Sequence, residues 1–138
     1  MTLDHPTFQA WLDRYVAAWK SYDAAAIGDL FSADADYRYH PGDDPLEGRA
    51  AIVASWLESP DPAGTYDGTY HVLAIDGENH VASGVSRYFD AKGDLRDEYH
   101  NIYLCRFAAD GRCRSFTEWW RQTRRFAKRA AAGTASEE

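Results

Sequence analysis

A chain of 138 residues with 45% hydrophobic side chains and a net charge of −7 is expected to form one globular domain. It is long enough to bury a core without disulfides or metals, and its composition excludes a disordered chain. No apolar run approaches the roughly 18 residues of a membrane span and no secretory leader pattern opens the sequence, so we expect no membrane association.

The charge is unevenly distributed along the chain. Residues 121–138 carry five basic and two acidic side chains, so the first 120 residues hold ten basic and twenty acidic groups. A domain this acidic repels the phosphate backbone of nucleic acid, so we exclude nucleic acid as a partner. We expect residues 1–122 to form the domain and residues 123–138 to be a mobile tail, first basic and then alanine-rich.

The first predicted element is an amphipathic helix from Pro6 to about Ser21. Its apolar face recurs at the 3.6-residue period of a helix and consists of Phe8, Trp11, Leu12, Tyr15, Val16 and Trp19. Tyrosine and tryptophan have polar tips that need partners when they are buried. We therefore expect this face to line a cavity as well as a core.

The later elements follow from capping and turn signals. Asp23 caps a second helix over 24–31, residues 35–40 form a short strand, and a third helix covers 48–58. The pattern then changes to strands separated by Asp-Gly and Lys-Gly-Asp turns, with predicted strands at 66–76, 80–89, 95–108 and 112–122.

Helices followed by a meander of long antiparallel strands predict an α+β fold. Three N-terminal helices cover one face of a strongly curved antiparallel sheet, and together they enclose a pocket in a cone-shaped fold. Along 95–108 the odd-numbered residues have cavity character, whereas Ile102 and Leu104 lie on the other face. We expect that outer face to form a homodimer contact.

The two cysteines bear on the cellular compartment. Strand alternation predicts that Cys105 and Cys113 lie on opposite faces of the sheet, which makes a disulfide between them improbable. Free buried thiols fit a reducing compartment, so the sequence predicts a cytoplasmic protein.

Several short motifs carry a resemblance to a known family. They are Arg14 to Trp19, Asp23, Asp29 to Phe31, Ala35 to Tyr37, Glu47 to Ile52 and the Asp110-Gly111-Arg112 hairpin. In these the chain resembles the nuclear transport factor 2-like (NTF2-like) superfamily, and within it the SnoaL-like and ketosteroid-isomerase-like proteins. The resemblance covers roughly residues 8–122. It implies the cone-shaped fold but not one chemistry, because this superfamily contains enzymes, binding proteins and assembly domains.

The resemblance to ketosteroid isomerase implies roles for particular residues. Tyr15 matches the oxyanion-hole tyrosine of the first helix. The general base of that family is an aspartate that precedes a proline at the end of the first strand. If the alignment allows a one-residue insertion, His40 matches that aspartate. Without an insertion, Tyr39 matches it. Tyr103 matches the second, protonated aspartate. The chain therefore keeps one of the three residues and replaces both carboxylates.

Glu118 is a further candidate on the last strand. It shares a face with Phe116 and Trp120, and similar SnoaL-like cyclases use an acidic group from this region as a general acid or base. A carboxylate between aromatic walls loses hydration, which raises its pKa toward neutrality and suits it to proton exchange. A pairing with Arg106 or Arg121 is the structural alternative.

Other chemistries have little support in the sequence. The histidines and cysteines show no zinc-ligand spacing, and there is no phosphate-binding loop or nucleophile elbow. We therefore expect no metal and no cofactor. The Arg96-Asp97 pair is similar to part of the carboxylate–arginine–carboxylate set of epoxide hydrolases in the same superfamily, but alternation predicts that Arg96 points away from Asp97.

Two functions remain open. The first is a cofactor-free isomerase, cyclase or hydratase acting on a small, apolar, oxygenated ligand, with Tyr15, His40, Tyr103 and Glu118 as catalytic residues. The second is a non-catalytic ligand-binding or dimerisation module. In either case the expected pocket residues are Trp19, Tyr39, Trp56, Tyr99, Asn101, Phe116 and Trp120.

Overall fold

A computed structural model describes residues 1–124 of the protein. The helices are α1 (His5–Ser21), α2 (Ala24–Asp29) and α3 (Arg49–Glu58). The strands are β1 (Phe31–Arg38), β2 (Leu46–Glu47), β3 (Tyr66–Asp76), β4 (Asn79–Phe89), β5 (Leu95–Phe107) and β6 (Cys113–Arg124). The predicted tail from residue 125 onward lies outside the described residues.

Helix α1 forms where local chemistry favours it. Asp4 caps its N-terminus, because the carboxylate accepts a hydrogen bond from the Thr7 N–H at 2.9 Å, and Pro6 lies in the first turn. The helix ends at Ser21, and the next residue, Tyr22, caps it with a left-handed backbone and an N–H that donates to the carbonyl of Ala18. The buried face consists of Phe8, Trp11, Leu12, Tyr15 and Ala18.

The six strands form one sheet in the order β2-β1-β6-β5-β4-β3. Strands β3 to β6 pair antiparallel as consecutive neighbours, whereas β1 pairs parallel with β6. The sequence did not predict this parallel pair, nor the short strand β2, which pairs with residues 36 and 37. The parallel pair brings the N-terminal part of the chain beside the last strand.

The start of β1 corrects a predicted boundary. Helix α2 ends at Asp29 and β1 begins at Phe31, so the residue predicted to end the helix is the first residue of the strand. The reason is tertiary. The N–H of Cys113 donates to the carbonyl of Leu30 at 2.8 Å, and Phe31 lies opposite Cys113 at the start of the parallel pair. Strand β1 also ends at Arg38, two residues earlier than predicted.

The predicted placement of the cysteines on opposite faces is wrong. Cys105 and Cys113 are both fully buried in the same core, and both thiols are free. The pairing of β5 with β6 shifts register between Arg106 and Phe107, which breaks the alternation on which the prediction relied.

Aromatic rings fill the core between the helices and the inner face of the sheet. The Tyr37 and Phe116 rings stack at 4.5 Å, and the Trp19 and Trp56 rings stack at 4.2 Å. No helix within residues 1–124 is long and apolar enough to cross a membrane.

Candidate functional site

A cavity of about 380 Å³ opens between α1, the segment before β3 and the inner face of the sheet. Its walls are largely aromatic. The rings that line it belong to Tyr15, Trp19, Tyr39, Tyr66, Tyr70, Tyr88, Tyr99, Tyr103 and Trp120. The remaining lining residues are polar or charged, namely Asp61, Ser86, Arg96, Asn101 and Glu118.

Glu118 is the carboxylate of the cavity wall. Strand β6 carries it between Phe116 and Trp120, and Tyr103 lies opposite it on β5. Burial raises the pKa of its carboxyl to about 7, while the hydrogen bond from Asn101 acts in the opposite direction. The amide Nδ2 of Asn101 donates to Oε2 at 2.6 Å. Within residues 1–124, the other oxygen, Oε1, has no hydrogen-bond partner.

A chain of hydrogen bonds leads from Glu118 across the sheet. The Ser86 hydroxyl donates to Asn101 Oδ1 at 3.0 Å, and the Tyr70 hydroxyl is in hydrogen-bond contact with Ser86 Oγ. The Tyr66 and Tyr70 hydroxyl oxygens are 3.3 Å apart. Strands β3, β4, β5 and β6 thus each contribute a polar group to one connected network.

Two glycines clear the space that the tyrosines of this network occupy. A Cβ at Gly84 would collide with the Tyr70 ring and with the carbonyl of Thr69 on the neighbouring strand. A Cβ at Gly68 would collide with the Tyr66 hydroxyl and lie 2.9 Å from the Tyr70 ring. The sequence therefore uses glycine here so that phenol rings can lie flat against the sheet.

Tyr15 and Tyr103 form the inner end of the cavity. Both are almost completely buried, and their ring centroids are 5.3 Å apart. Burial raises the pKa of each phenol well above its usual value, so both stay neutral hydrogen-bond donors at physiological pH. The Tyr15 hydroxyl lies 3.3 Å from that of Tyr37.

Charged side chains lie among the lining residues as well. Arg96 Nε donates to Asp97 Oδ2 at 2.7 Å, which corrects the prediction that the two residues point apart. The register between β4 and β5 skips Arg96, since Phe89 pairs with Leu95 and Tyr88 with Asp97. The bulge breaks the alternation and lets the guanidinium reach its neighbour. Asp61 accepts a hydrogen bond from the Tyr22 hydroxyl at 2.9 Å.

The other predicted site residues divide into two groups. Besides Tyr15, Tyr103 and Glu118, those that line the cavity are Trp19, Tyr39, Tyr99, Asn101 and Trp120. Trp56 and Phe116 are buried in the core behind the lining. His40 is exposed and lies outside the lining, with its ring centroid 5.0 Å from that of Trp120.

Sequence reasoning missed several members of the site. They are Tyr37, Asp61, Tyr66, Tyr70, Ser86, Tyr88 and Arg96. The sequence did contain a pattern that could have indicated several of them. Tyr66 and Tyr70 share one face of a predicted strand, and Ser86 and Tyr88 share one face of the next. Alternation could have assigned these faces once the strand pairing was drawn out. Asp61 lies in a loop and had no such signal.

No group of three or more histidine, cysteine or acidic side chains within residues 1–124 is arranged to hold a metal ion.

Comparison with known proteins identifies the class and then the family. The fold is similar to that of an NTF2-like protein of unknown function from Cytophaga hutchinsonii, with a TM-score of 0.61 and 19% sequence identity. That match covers 85% of this chain and 98% of the other. The model of the SnoaL-like domain matches residues 12–129, and the chain therefore belongs to the SnoaL-like family. A search of the curated proteins finds no match.

Proposed function

We propose that the protein is a cofactor-independent enzyme that moves a proton on a small, mostly apolar, oxygenated substrate. The observation that supports this most directly is the Glu118 carboxyl, whose pKa burial raises to about 7 on the wall of an aromatic cavity. A general acid or base works best when its pKa lies near the working pH. Perturbed carboxyls in clefts are also typical of active sites.

The arrangement suits abstraction of a proton from a carbon next to a carbonyl group. Oε1 of Glu118 takes the proton, the C–H bonding electrons move into the carbonyl, and an enolate oxygen forms. Tyr15 and Tyr103 are neutral phenols in the same cavity, so their hydroxyls are donors for that oxyanion. Return of the proton to another carbon completes an isomerisation, and the step needs no metal or cofactor.

A substrate-independent test is proton exchange on a probe ketone. We expect the protein to accelerate exchange of the carbon-bound protons beside the carbonyl of 2-tetralone in D₂O, followed by NMR. Glu118→Gln keeps the shape of the side chain but cannot accept a proton at neutral pH, so it should lose the acceleration. Glu47→Gln, at an exposed position on β2, is the matched control and should retain it.

The outcome also separates the two functions that the sequence left open. Exchange that is equal for the protein and Glu118→Gln contradicts proton transfer by Glu118. If 2-tetralone still quenches tryptophan fluorescence under those conditions, the cavity is a non-catalytic binding site.

We also propose that the outer face of the sheet pairs with a second copy of the chain. Ile102 and Trp119 lie opposite each other on β5 and β6 and are 36% and 43% exposed. A cross-strand apolar pair with this exposure favours burial against a partner. His100, Arg121 and Arg106 surround it on the same face, a polar rim that is typical of protein interfaces.

A further inference from the structure

The charged groups of the cavity lining differ in whether they are paired. Arg96 is the one cation of the lining within residues 1–124, and its Nε donates to Asp97 Oδ2 at 2.7 Å. The other oxygen of Asp97 accepts a hydrogen bond from Gln122 Nε2 at 2.8 Å, so this ion pair is held from both sides. The two lining carboxylates, Asp61 and Glu118, form no ion pair within the same range. The lining therefore offers unpaired carboxylates to a positive group, whereas its own cation is already paired.

Asp61 is fixed in the loop between α3 and β3 by Tyr22. Its Oδ2 accepts a hydrogen bond from the Tyr22 hydroxyl at 2.9 Å, and its backbone N–H donates to the same hydroxyl oxygen at 3.0 Å. Within the described part of the chain, Oδ1 has no hydrogen-bond partner. Arg96 interacts electrostatically with Asp61 as well as with Asp97, but one guanidinium balances only one of the two carboxylates. Asp61 thus keeps negative charge and an oxygen that a ligand can reach.

Aromatic rings surround Asp61 at this end of the cavity. Trp19 and Tyr66 line the cavity and an adjacent pocket, and Asp61 lines both as well. The ring centroids of Trp19 and Tyr66 are 6.3 Å apart, and those of Tyr66 and Tyr88 are 5.4 Å apart. Burial raises the pKa of the Tyr88 phenol, and the charges of Asp61 and Glu118 raise it further. Tyr88 is therefore a neutral ring within electrostatic reach of both carboxylates, and such rings attract a cation placed over their faces.

We propose that the substrate carries an organic cation, either a protonated amine or a quaternary ammonium group, which binds beside Asp61; this rests on the proposed function and names its substrate class. The rings of Trp19, Tyr66 and Tyr88 surround the cation. The carbonyl end of the same molecule extends to Glu118, which lines the same cavity.

The charge of the whole domain favours the same class of ligand. The first 120 residues carry twenty acidic and ten basic groups. A cleft in such a domain attracts cations and repels anions. An anionic substrate would also have to draw Arg96 away from Asp97, which Gln122 holds in place. A positive charge on the substrate further stabilises the enolate that forms when Glu118 removes a proton.

The test compares three small probes of similar shape and different charge. Choline is a cation, 3,3-dimethylbutan-1-ol is its neutral counterpart, and 3,3-dimethylbutanoate is an anion. Binding to the whole protein at constant ionic strength is followed by the NMR shift of the Trp19 indole N–H, with Trp119 on the outer face of the sheet as the internal reference. We expect choline to bind roughly tenfold more tightly than the alcohol, and the carboxylate to bind least tightly.

Asp61→Asn tests the carboxylate. Asparagine keeps an oxygen for the Tyr22 hydroxyl but has no charge, so choline should bind roughly fivefold less tightly while the alcohol binds as before. Asp76→Asn, at the exposed end of β3 and outside the lining, makes the same change in net charge and is the matched control. It should leave the affinities for both probes unchanged.

Tyr88→Leu and Tyr88→Phe test the aromatic part of the site. Phenylalanine keeps the ring, whereas leucine removes it, so the preference for choline over the alcohol should fall in Tyr88→Leu and persist in Tyr88→Phe. This pair of variants decides the inference if Asp61→Asn fails to fold.

Three outcomes would overturn the inference. They are a Trp19 signal that choline does not shift, an alcohol or carboxylate that binds as tightly as choline, and equal choline affinities for Asp61→Asn and Asp76→Asn. None of them bears on the exchange experiment, because 2-tetralone is uncharged. Conversely, a preference for choline without exchange that depends on Glu118 would support the cation site and contradict the proposed function.

Discussion

At the scale of single residues, Glu118 experiences two opposing effects. Removal of water by the surrounding rings disfavours its charged form, whereas the amide of Asn101 stabilises that form. Burial is the larger effect, and the pKa rises to about 7. The carboxyl can therefore gain or lose a proton within the physiological range.

The raised pKa has a consequence for stability that Glu118→Gln tests. A carboxyl with a folded pKa above its unfolded value favours the folded state while protonated, and this stability is lost as pH rises from about 4.5 through about 7. At pH 8 the glutamine variant should therefore be more stable than the original protein. The full shift of the Glu118 pKa corresponds to roughly 3 kcal/mol of free energy. Because water in the cavity partly solvates the carboxylate, we expect Glu118→Gln to raise the free energy of unfolding at pH 8 by about 2 kcal/mol.

Urea unfolding at pH 5 and pH 8 measures this difference in the free energy of unfolding. The difference in free energy of unfolding between Glu118→Gln and the unaltered protein should be small at pH 5 and large at pH 8. A gap that is equal at both pH values would contradict a buried carboxyl with a raised pKa.

At the scale of strands, the site depends on phenol rings lying across glycines. Gly84 on β4 faces the Tyr70 ring of β3, and no larger residue fits there without moving that ring. Gly84→Ala should lower the free energy of unfolding by about 1–3 kcal/mol, because overpacking forces the strands to shift. Thermal unfolding measures the effect.

Gly42→Ala is the matched control for this change. Nothing lies within 4 Å of a Cβ at Gly42, and its backbone does not require a glycine. Its melting temperature should stay the same or rise slightly. Equal effects of the two substitutions would mean that the contact between Gly84 and Tyr70 does not constrain the sheet.

The strands also show why the sequence predicted some elements and not others. The four long strands had regular alternation and clear turns, and their boundaries were predicted to within a few residues. The start of β1 was missed because it pairs with β6, some eighty residues later in the chain, and local patterns do not report such distant partners. The bulge at Arg96 misled the prediction of its direction, since alternation assumes an unbroken ladder.

The residues of the candidate site differ in the same way in how far the sequence could predict them. The sequence predicted Glu118, Tyr15 and Tyr103 because the periodicity of their elements or the family resemblance indicated that they face the cavity. Tyr66 and Tyr70 were missed because their role depends on contacts across strands, to Ser86 and then to Asn101. Connectivity of this kind belongs to the folded structure.

At the scale of the whole molecule, the helices cover one face of the sheet and the other is left exposed at Ile102 and Trp119. If a second copy covers this face, Trp119→Lys should convert a dimer into a monomer, because a charge would be buried without a partner. Light scattering after gel filtration measures the mass in solution. Ala17→Lys, on the exposed side of α1, is the control and should leave the mass unchanged.

A monomeric mass for the unaltered protein would contradict this assembly. The cavity proposal would stand in that case, because the residues that line the cavity do not include Ile102 or Trp119 of the proposed contact.

Proton transfer in this cavity requires that the molecule keep Glu118 dry enough to hold a proton near neutral pH. The most direct measurement is a titration of the Glu118 side-chain carboxyl by ¹³C NMR, assigned by its disappearance in Glu118→Gln. We predict a midpoint of about 7. A midpoint at or below 4.5, the usual value for glutamate, would contradict the proposal that this cavity is a proton-transfer site.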